Sequence, residues 1–259
     1  MAAAADLQSV FSEPSQELWQ ALGWTPSPGQ LVQLEMLQVQ LRQWNSRRNL
    51  TRLVEGEDFW IAQVFDSLWP LLPMISRDAA AGSGESLRII DVGTGGGFPG
   101  LAAAIAFPGA RLTLVDSVAR KVEAVRAMAE AIGLAERISL RCERIEQTGH
   151  QRDCRAGFDV ALARAVAQAP VVAEYLVPLL RPAGRALLYR GIWTDADSAG
   201  LERALRPLRA RLVGVHSRQL PAARGLRHVL EIEPTDRCPS GFPRPVGVPA
   251  KQPLGHHPG

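Results

Sequence analysis

The spacing of apolar residues changes at about residue 86. Before it, Leu34, Leu37 and Leu41 recur at helical spacing, and Asp58 is placed to cap a helix over Phe59–Leu72. After it, short apolar runs alternate with helical stretches. The pattern predicts strands at Leu87–Val92, Arg111–Asp116, Ile138–Cys142, Phe158–Ala163, Gly184–Tyr189, Leu212–Leu220 and Arg227–Glu233. It predicts helices between them at Phe98–Phe107, Ala119–Ile132, Val171–Leu180 and Ala196–Leu208.

This order predicts an α/β fold, because strands that alternate with helices form a parallel sheet covered on both faces. The last two strands are joined by a turn at Pro221–Gly225 and predict a closing hairpin. We expect an N-terminal helical cap over residues 1–80, a Rossmann-like domain over 85–235 and a basic, Pro/Gly-rich tail over 236–259. Small residues at 79–86 predict a flexible linker, and the tail is expected to be extended.

One motif carries recognisable chemistry: Asp91-Val-Gly-Thr-Gly-Gly-Gly-Phe-Pro-Gly100, directly behind the first predicted strand. Glycines permit positive φ and let the backbone approach a ligand closely. A second carboxylate, Asp116, follows about 25 residues later at the end of the next strand, where it would reach ribose hydroxyls in a βαβ unit. Together the two signals predict a site for a nucleoside-bearing cofactor. The alternative is a plain tight turn.

Two cofactors fit this motif formally. Gly95, Gly97 and Gly100 match the dinucleotide fingerprint, which would make the protein an NAD-dependent oxidoreductase. The pattern that starts at Asp91 favours S-adenosylmethionine, because a carboxylate there repels a pyrophosphate but suits a sulfonium ligand with an ammonium group. The expected fold class is therefore the Rossmann-like, seven-stranded sheet of class I S-adenosylmethionine-dependent methyltransferases, with an N-terminal helical subdomain.

Composition narrows the class of protein further. The chain has 259 residues, 46% of them hydrophobic, enough for one sizeable core and a smaller lobe. We expect no membrane span, since no apolar run approaches about 20 residues. We expect no signal peptide, since the N-terminus lacks a basic n-region and an apolar stretch. Three cysteines without metal-ligand spacing fit a reducing cytoplasm, so we expect a cytoplasmic protein without a metal. The basic excess lies in residues 206–259, which is compatible with RNA binding.

Several segments occur in the order and at the spacing of one known family. They are Asn49-Leu50-Thr51, Asp66-Ser67-Leu68, Asp116-Ser117, Arg164-Ala-Val-Ala167, Arg227-His228, and Phe242-Pro-Arg244 through Lys251-Gln-Pro-Leu254. With the glycine motif, they resemble the RsmG (GidB) family of bacterial 16S rRNA guanine-N7 methyltransferases over nearly the whole chain. The resemblance implies methyl transfer from S-adenosylmethionine to N7 of a guanine in the decoding-region loop, with 16S rRNA or the small ribosomal subunit as partner.

The resemblance also implies which residues form the site. The cofactor-binding positions are Gly93 and Phe98 in the glycine loop, Asp116, Ser117 and Val118 at the ribose edge, Ile145 and Glu146 at the adenine ring, and Arg164. Arg164 would face cofactor and substrate in an orienting role, and pairing with a neighbouring carboxylate is the alternative. The chain departs from the family at Ala119-Arg120-Lys121, where Gly-Lys-Arg is usual, and at Tyr189-Arg190-Gly191, where Leu-Lys-Gly is common.

N7 of guanine carries an available lone pair, so no general base is expected. The segment after the fourth strand lacks the Asn/Asp-Pro-Pro-aromatic element typical of exocyclic-amine methyltransferases. No cysteine lies beside it to serve as the nucleophile for pyrimidine C5 methylation. Two alternatives stay open: a methyltransferase that acts on another RNA, and a non-catalytic ribosome-assembly module that binds the cofactor and RNA.

Overall fold

The structure is a computed structural model that describes residues 14–48, 50–51, 53–74 and 86–255. The predicted linker lies outside the described residues except for Ser86, and so does Asn49 of the family-like segments. The proposed boundary between helical cap and sheet domain, at residues 80–85, also lies outside them.

The predicted seven-stranded sheet is confirmed. Its strands are β1 (Arg88–Val92), β2 (Arg111–Asp116), β3 (Ile138–Cys142), β4 (Phe158–Arg164), β5 (Leu180–Arg190), β6 (Ala210–Gln219) and β7 (Leu226–Pro234). The order is β3-β2-β1-β4-β5-β7-β6. Strands β3 through β5 are parallel, and β7 runs antiparallel to both β5 and β6. From β1 the chain adds β2 and β3 on one side, and it then adds β4 and β5 on the other side of β1. The boundary between β1 and β4 is therefore a topological switch point.

Helices cover both faces of the sheet and precede it. They are α1 (Gln16–Leu22), α2 (Pro28–Arg48), α3 (Gly100–Ala106), α4 (Ala119–Ala131), α5 (Ile145–Thr148), α6 (Ala169–Leu176), α7 (Asp195–Leu205) and α8 (Val248–Lys251). The sequence pattern missed α1, which begins where the Ser15 hydroxyl accepts a hydrogen bond from the Leu18 amide at 3.2 Å. Within the described ranges, no helix is long and apolar enough to cross a bilayer.

The helix predicted over Phe59–Leu72 is present, but its hydrogen bonding is irregular. We call it the composite helix: a π-helical part (Asp58–Phe65), one α-helical turn (Asp66–Leu68) and a 3₁₀ turn (Trp69–Leu71). Asp58 was expected to cap it, and that expectation was wrong. Asp58 lies inside the first turn, and its carboxylate pairs with Arg224 in the turn between β6 and β7.

Two apolar cores lie on the two faces of the sheet, because successive strand residues point to opposite sides. Ile89 of β1 packs with α2, the composite helix, α3 and α4, whereas Ile90 packs with α6 and α7. Side chains also tie α2 to the sheet domain: the Gln30 amide donates to the Ile105 carbonyl at 2.8 Å, and the Gln33 amide donates to the Ile132 carbonyl at 2.9 Å. The N-terminal helices therefore share one core with the sheet.

The segment after β7 was expected to be extended, and this was wrong. It contains turns and α8, and it folds back onto the sheet domain. The physical reason is a set of specific partners that composition does not reveal. Arg155 donates to the carbonyls of Cys238, Pro239 and Phe242, and Arg244 pairs with the buried Glu174.

Candidate cofactor-binding cleft

The glycine turn after β1 is held by Asp91. This residue is fully buried, and its Oδ2 accepts hydrogen bonds from the Thr94 hydroxyl at 2.7 Å and the Gly100 amide at 2.9 Å. Burial raises the pKa of Asp91 to about 6, although the two bonds and the Arg164 guanidinium oppose the rise. The sequence predicted a carboxylate that faces a cationic ligand. The structure instead encloses Asp91 beneath the turn, where it fixes the start of α3.

Asp116 closes the same turn from the end of β2. Its Oδ2 accepts from the Gly95 amide at 3.0 Å, and its Oδ1 accepts from the Val118 amide at 2.9 Å. Two backbone segments are thereby fixed around one carboxylate. Each oxygen keeps further acceptor capacity, since a carboxylate has about four lone-pair sites.

These segments border a cleft of about 350 Å³ at the carboxyl ends of the parallel strands. This is the edge where open α/β sheets bind ligands, beside the switch point between β1 and β4. The residues that line it come from the ends of β1 to β4 and the segments that follow them, from α4 and α6, and from the C-terminal segment. They are Val92, Gly93, Val115, Asp116, Ser117, Val118, Lys121, Glu143, Arg144, Ile145, Ala165, Val166, Ala167, Tyr175 and Ala250.

The structure brings together part of the set expected for cofactor binding. Gly93, Asp116, Ser117, Val118 and Ile145 all line the cleft. Phe98, Glu146 and Arg164 do not, and their side chains contact other parts of the protein.

Phe98 and Arg164 face the composite helix. The Phe98 ring packs edge-on against Phe59, with ring centroids 6.0 Å apart. The Arg164 guanidinium donates to the Ala62 carbonyl at 2.9 Å, to Asp66 at 3.1 Å, and to the Gln63 side chain. Arg164 thus ties the end of β4 to the helical subdomain, as in the alternative in which it pairs with a carboxylate. The resemblance alone had placed it toward the cofactor.

Glu146 lies behind the cleft and is buried. Its carboxylate accepts from Arg144, from the Tyr175 hydroxyl at 3.3 Å and from the Gly247 amide at 3.0 Å. Burial raises the pKa of Glu146, but the bonds from Arg144 and Gly247 outweigh it, and the pKa lies below its ordinary value. Burial, together with the neighbouring Glu146 charge, raises the pKa of Tyr175 to about 12. Glu146 therefore joins α5 to the C-terminal segment.

Sequence reasoning missed Tyr175 and Ala250 as cleft residues. Tyr175 lies within α6, where its spacing reads as ordinary core, and Ala250 lies in the segment expected to be extended. The only signal for Ala250 was its place inside the family-like stretch that ends at Leu254. A physical reason to bring that stretch to the cleft could not be read from composition.

Cations lie along the same edge of the sheet. Arg120 is exposed at the start of α4, and Lys121 lines the cleft. Arg190 donates to the Ala167 carbonyl at 2.7 Å and lies over the Trp193 ring, 5.9 Å from its centroid. Arg190 and Trp193 line a second cavity of about 310 Å³. Burial lowers the pKa of Arg190 from its ordinary value.

A larger cavity, of about 790 Å³, lies away from this edge, beside β5, β6 and β7. Three of its charged or titratable lining groups contact one another: Glu231 pairs with Arg185 at 3.1 Å and with His216 at 3.0 Å. It contains no part of the glycine turn, so size alone does not identify the chemical site here. In the described part of the chain, no three His, Cys, Asp or Glu residues are grouped as metal ligands would be.

The sheet order, the glycine turn and the carboxylate at the end of β2 define the class I methyltransferase fold. Solved structures agree: an O-methyltransferase from Bacillus cereus in complex with SAH aligns with a TM-score of 0.54 at 16% identity, covering 76% of this chain and 90% of that one. The O-methyltransferase TomG from Streptomyces achromogenes, in complex with SAM, aligns with a TM-score of 0.53 at 18% identity, covering 77% and 90%. At these identities the similarity concerns the fold.

Sequence comparison is more specific. The model of the GidB family, rRNA small subunit methyltransferase G, matches residues 30–224. The chain is 61% identical over 244 residues to the ribosomal RNA small subunit methyltransferase G of Parasynechococcus marenigrum (strain WH8102), covering 94% of this chain and 96% of the relative. The chain belongs to the rRNA small subunit methyltransferase G family. The resemblance drawn from the motifs is confirmed.

Proposed function

We propose that the protein transfers a methyl group from S-adenosylmethionine to N7 of one guanine in the decoding-region loop of the small-subunit rRNA. The observation that carries this proposal is the cleft itself. Gly93, Asp116, Ser117 and Ile145 converge on it from the ends of separate elements, in a chain of the rRNA small subunit methyltransferase G family. An enzyme with this substrate would work in the cytoplasm.

The residues of the cleft fit an S-adenosyl ligand. Gly93, with φ +69°, packs against Val166 where a Cβ would approach to 2.6 Å, so a glycine lets the backbone of the turn line the cleft at the switch point. Asp116 presents spare acceptor capacity for ribose hydroxyls, and Ile145 offers an apolar contact for a purine. When bound, S-adenosylmethionine supplies an electrophilic methyl group on a positively charged sulfur.

The proposed reaction requires little proton transfer by the protein, because N7 of a neutral guanine already carries a lone pair. The enzyme has to align the base with the methyl group and keep other atoms of the RNA from reacting. Alignment of this kind is worth up to about 7–11 kcal/mol in well-oriented systems. We propose that Arg164 has an indirect orienting role: through its contacts it fixes the composite helix beside the end of β4. The substrate would approach the edge that carries Arg120, Lys121 and Arg190.

The test is transfer of labelled methyl from S-adenosylmethionine to 16S rRNA and to small subunits from a strain that lacks the modification. Products are mapped by nuclease digestion and mass spectrometry. We expect a single N7-methylguanosine in the decoding-region loop. Asp116→Asn should lower the rate at least tenfold, because one amide oxygen cannot keep both backbone bonds and also bind ribose. Asp195→Asn, an exposed position outside the cleft, is the matched control.

Methylation of another RNA, or at another atom, would overturn the substrate assignment and leave the cofactor assignment standing. Cofactor binding without any transfer would favour the non-catalytic ribosome-assembly module. Absence of cofactor binding would overturn the proposal as a whole.

A further inference from the structure

The segment that follows β7 is attached to the sheet domain at three points. We call residues 236–255 the C-terminal strap. Its first anchor is Arg155, which donates to the carbonyls of Phe242 at 2.6 Å, Pro239 at 2.8 Å and Cys238 at 3.0 Å. Because one side chain serves three carbonyls, the path of the strap is fixed before it reaches the cleft.

The second anchor is an ion pair with one partner fully buried. Glu174 of α6 has no exposed surface, and Arg244 donates to both of its oxygens, at 2.9 Å through Nε and at 2.7 Å through Nη2. The Arg244 amide adds a bond of 2.7 Å to the same carboxylate. A buried carboxylate needs such partners, since burial of an unpaired charge is costly. The pair therefore specifies where the strap docks.

The third anchor lies beside the cleft. The Gly247 amide donates to Glu146 at 3.0 Å, and Gly247 has φ +83°, a left-handed conformation that turns the chain into α8. Helix α8 then brings Ala250 to the cleft, where it lines the wall together with Ile145 and Tyr175. An RNA-binding tail would need none of these contacts.

The order of strands indicates which part of the cofactor this wall would touch. Under the proposed function, the ribose lies at Asp116 on β2 and the reactive end lies near the switch point between β1 and β4. The sheet continues from β2 to β3, so the base falls beyond β2, beside Ile145, which follows β3. Gly247, three residues before Ala250, bonds Glu146 next to Ile145, and this anchor leads α8 and Ala250 to that side of the cleft.

We propose that the C-terminal strap forms one wall of the purine-binding end of the cofactor cleft, with Ala250 as the contact and the Glu174–Arg244 pair as the positioning element. The inference rests on the proposed function only in that the ligand is an adenosine compound. It assigns the strap to the cofactor and not to RNA.

The test compares one substitution at two neighbouring positions of α8. Both positions are exposed, but only Ala250 lines the cleft: Ala250→Phe places a large ring in its wall, and Lys251→Phe places the same ring outside it. Binding of S-adenosylhomocysteine and of 5′-methylthioadenosine, which lacks the amino-acid part, is measured by calorimetry. We expect Ala250→Phe to raise both dissociation constants at least tenfold and by the same factor. Lys251→Phe should change them less than twofold.

Equal affinities in the two variants would overturn the proposal. Weakened binding of S-adenosylhomocysteine alone would overturn the placement at the purine end. Failure of the unsubstituted protein to bind either compound would instead contradict the proposed cofactor, so the two failures are distinguishable.

The positioning role is tested with Arg244→Gln, measured at a temperature where its circular dichroism matches that of the unsubstituted protein. We expect a dissociation constant for 5′-methylthioadenosine raised at least fivefold, with partial recovery in Arg244→Lys, which keeps the charge but not the bidentate geometry. A lower melting temperature with unchanged affinity would show that the pair is merely structural. If Arg244→Gln does not fold, the Ala250→Phe comparison decides.

Discussion

Gly93 and Val166 face each other at the switch point between β1 and β4. A Cβ on Gly93 would lie 2.6 Å from Cγ2 of Val166, closer than real side chains approach. Gly93 also has φ +69°, which costs an L-residue roughly 1–2 kcal/mol. The contact shows that the backbone after β1 and the loop after β4 meet at the cleft with no space between them for a side chain, and the positive φ is a second, independent reason for glycine here.

Gly93→Ala should therefore weaken cofactor binding. The added methyl group has to displace Val166 or shift the turn, and either change moves residues that line the cleft. We expect the dissociation constant for S-adenosylhomocysteine to rise at least tenfold in titration calorimetry. Gly109→Ala is the matched control, since a Cβ there meets open space. Unchanged affinity in Gly93→Ala would show that the turn adapts and does not shape the site.

Arg164 and Asp66 form an ion pair at 3.1 Å with side-chain exposures of 17% and 9%. Removal of one partner leaves the other charge buried, which costs about 3–5 kcal/mol. We expect Arg164→Ala and Asp66→Ala each to lower the free energy of unfolding by that amount in urea titrations. The double variant should lose much less than the sum.

The exposed pair of Arg209 and Asp236, at 2.9 Å, provides the control cycle. Its coupling should not exceed about 1 kcal/mol, since solvent screens such pairs. If the losses of unfolding free energy in the Arg164 and Asp66 variants were additive, Arg164 would not stabilise the protein through its ion pair with Asp66. Its orienting role is tested separately: where Arg164→Ala is folded and binds cofactor normally, a methylation rate equal to that of the unsubstituted protein rules the role out.

Asp91 should make stability depend on pH in an unusual direction. Its pKa in the folded protein is about 6, against 3.8 ordinarily, so the folded state holds a proton that the unfolded state releases. Its contribution to stability is full below about pH 4, falls as pH rises to about 6, and is constant above. The fall amounts to about 3 kcal/mol.

Asp91→Asn removes this titration and keeps an oxygen for Thr94 and Gly100, both of which bond the same Asp91 oxygen. Relative to the unsubstituted protein, the variant should gain stability steadily between pH 4 and 6.5 and no more above that. Urea unfolding of both proteins across this range measures the difference. A difference that does not vary with pH would place the raised pKa elsewhere.

Much of this architecture could be predicted from residue pattern, because strand and helix periods are local properties of the chain. Strands β2 and β3 were predicted with the bounds that the structure shows. Strand β5 was not: it begins at Leu180, because Pro178 and the 3₁₀ turn Val177–Leu179 end the preceding helical stretch early.

The cleft could be predicted only in part. Gly93 and Asp116 follow strands directly, so their place at the sheet edge follows from topology. The partners of Arg164 and Glu146 come from segments 98 and 101 residues away in sequence, and no local pattern reveals such pairs. The same holds for the basic C-terminal part of the chain, whose composition was compatible with RNA binding. Arg244 of the C-terminal strap and Arg209 before β6 are paired with carboxylates of the same chain.

Arg111 and Arg120, near the two ends of β2, allow a direct test of which edge of the sheet contacts RNA. Arg111 is exposed at the start of β2, and Arg120 is exposed just beyond its end, beside the cleft. Both would contribute equally to a non-specific attraction that depends on net charge alone.

If the substrate lies across the carboxyl edge of the sheet, only Arg120 neutralises a phosphate. Arg120→Ala should then reduce the slope of log affinity against log salt by about one, whereas Arg111→Ala should leave it unchanged. The slopes are measured by filter binding of 16S rRNA between about 50 and 200 mM salt, a range over which phosphate contacts change the affinity steeply. Equal slopes in the two variants would mean that RNA does not discriminate between the faces. A reduced slope in Arg111→Ala alone would place the RNA on the opposite edge, away from the cofactor cleft, and would contradict the approach assigned to the substrate.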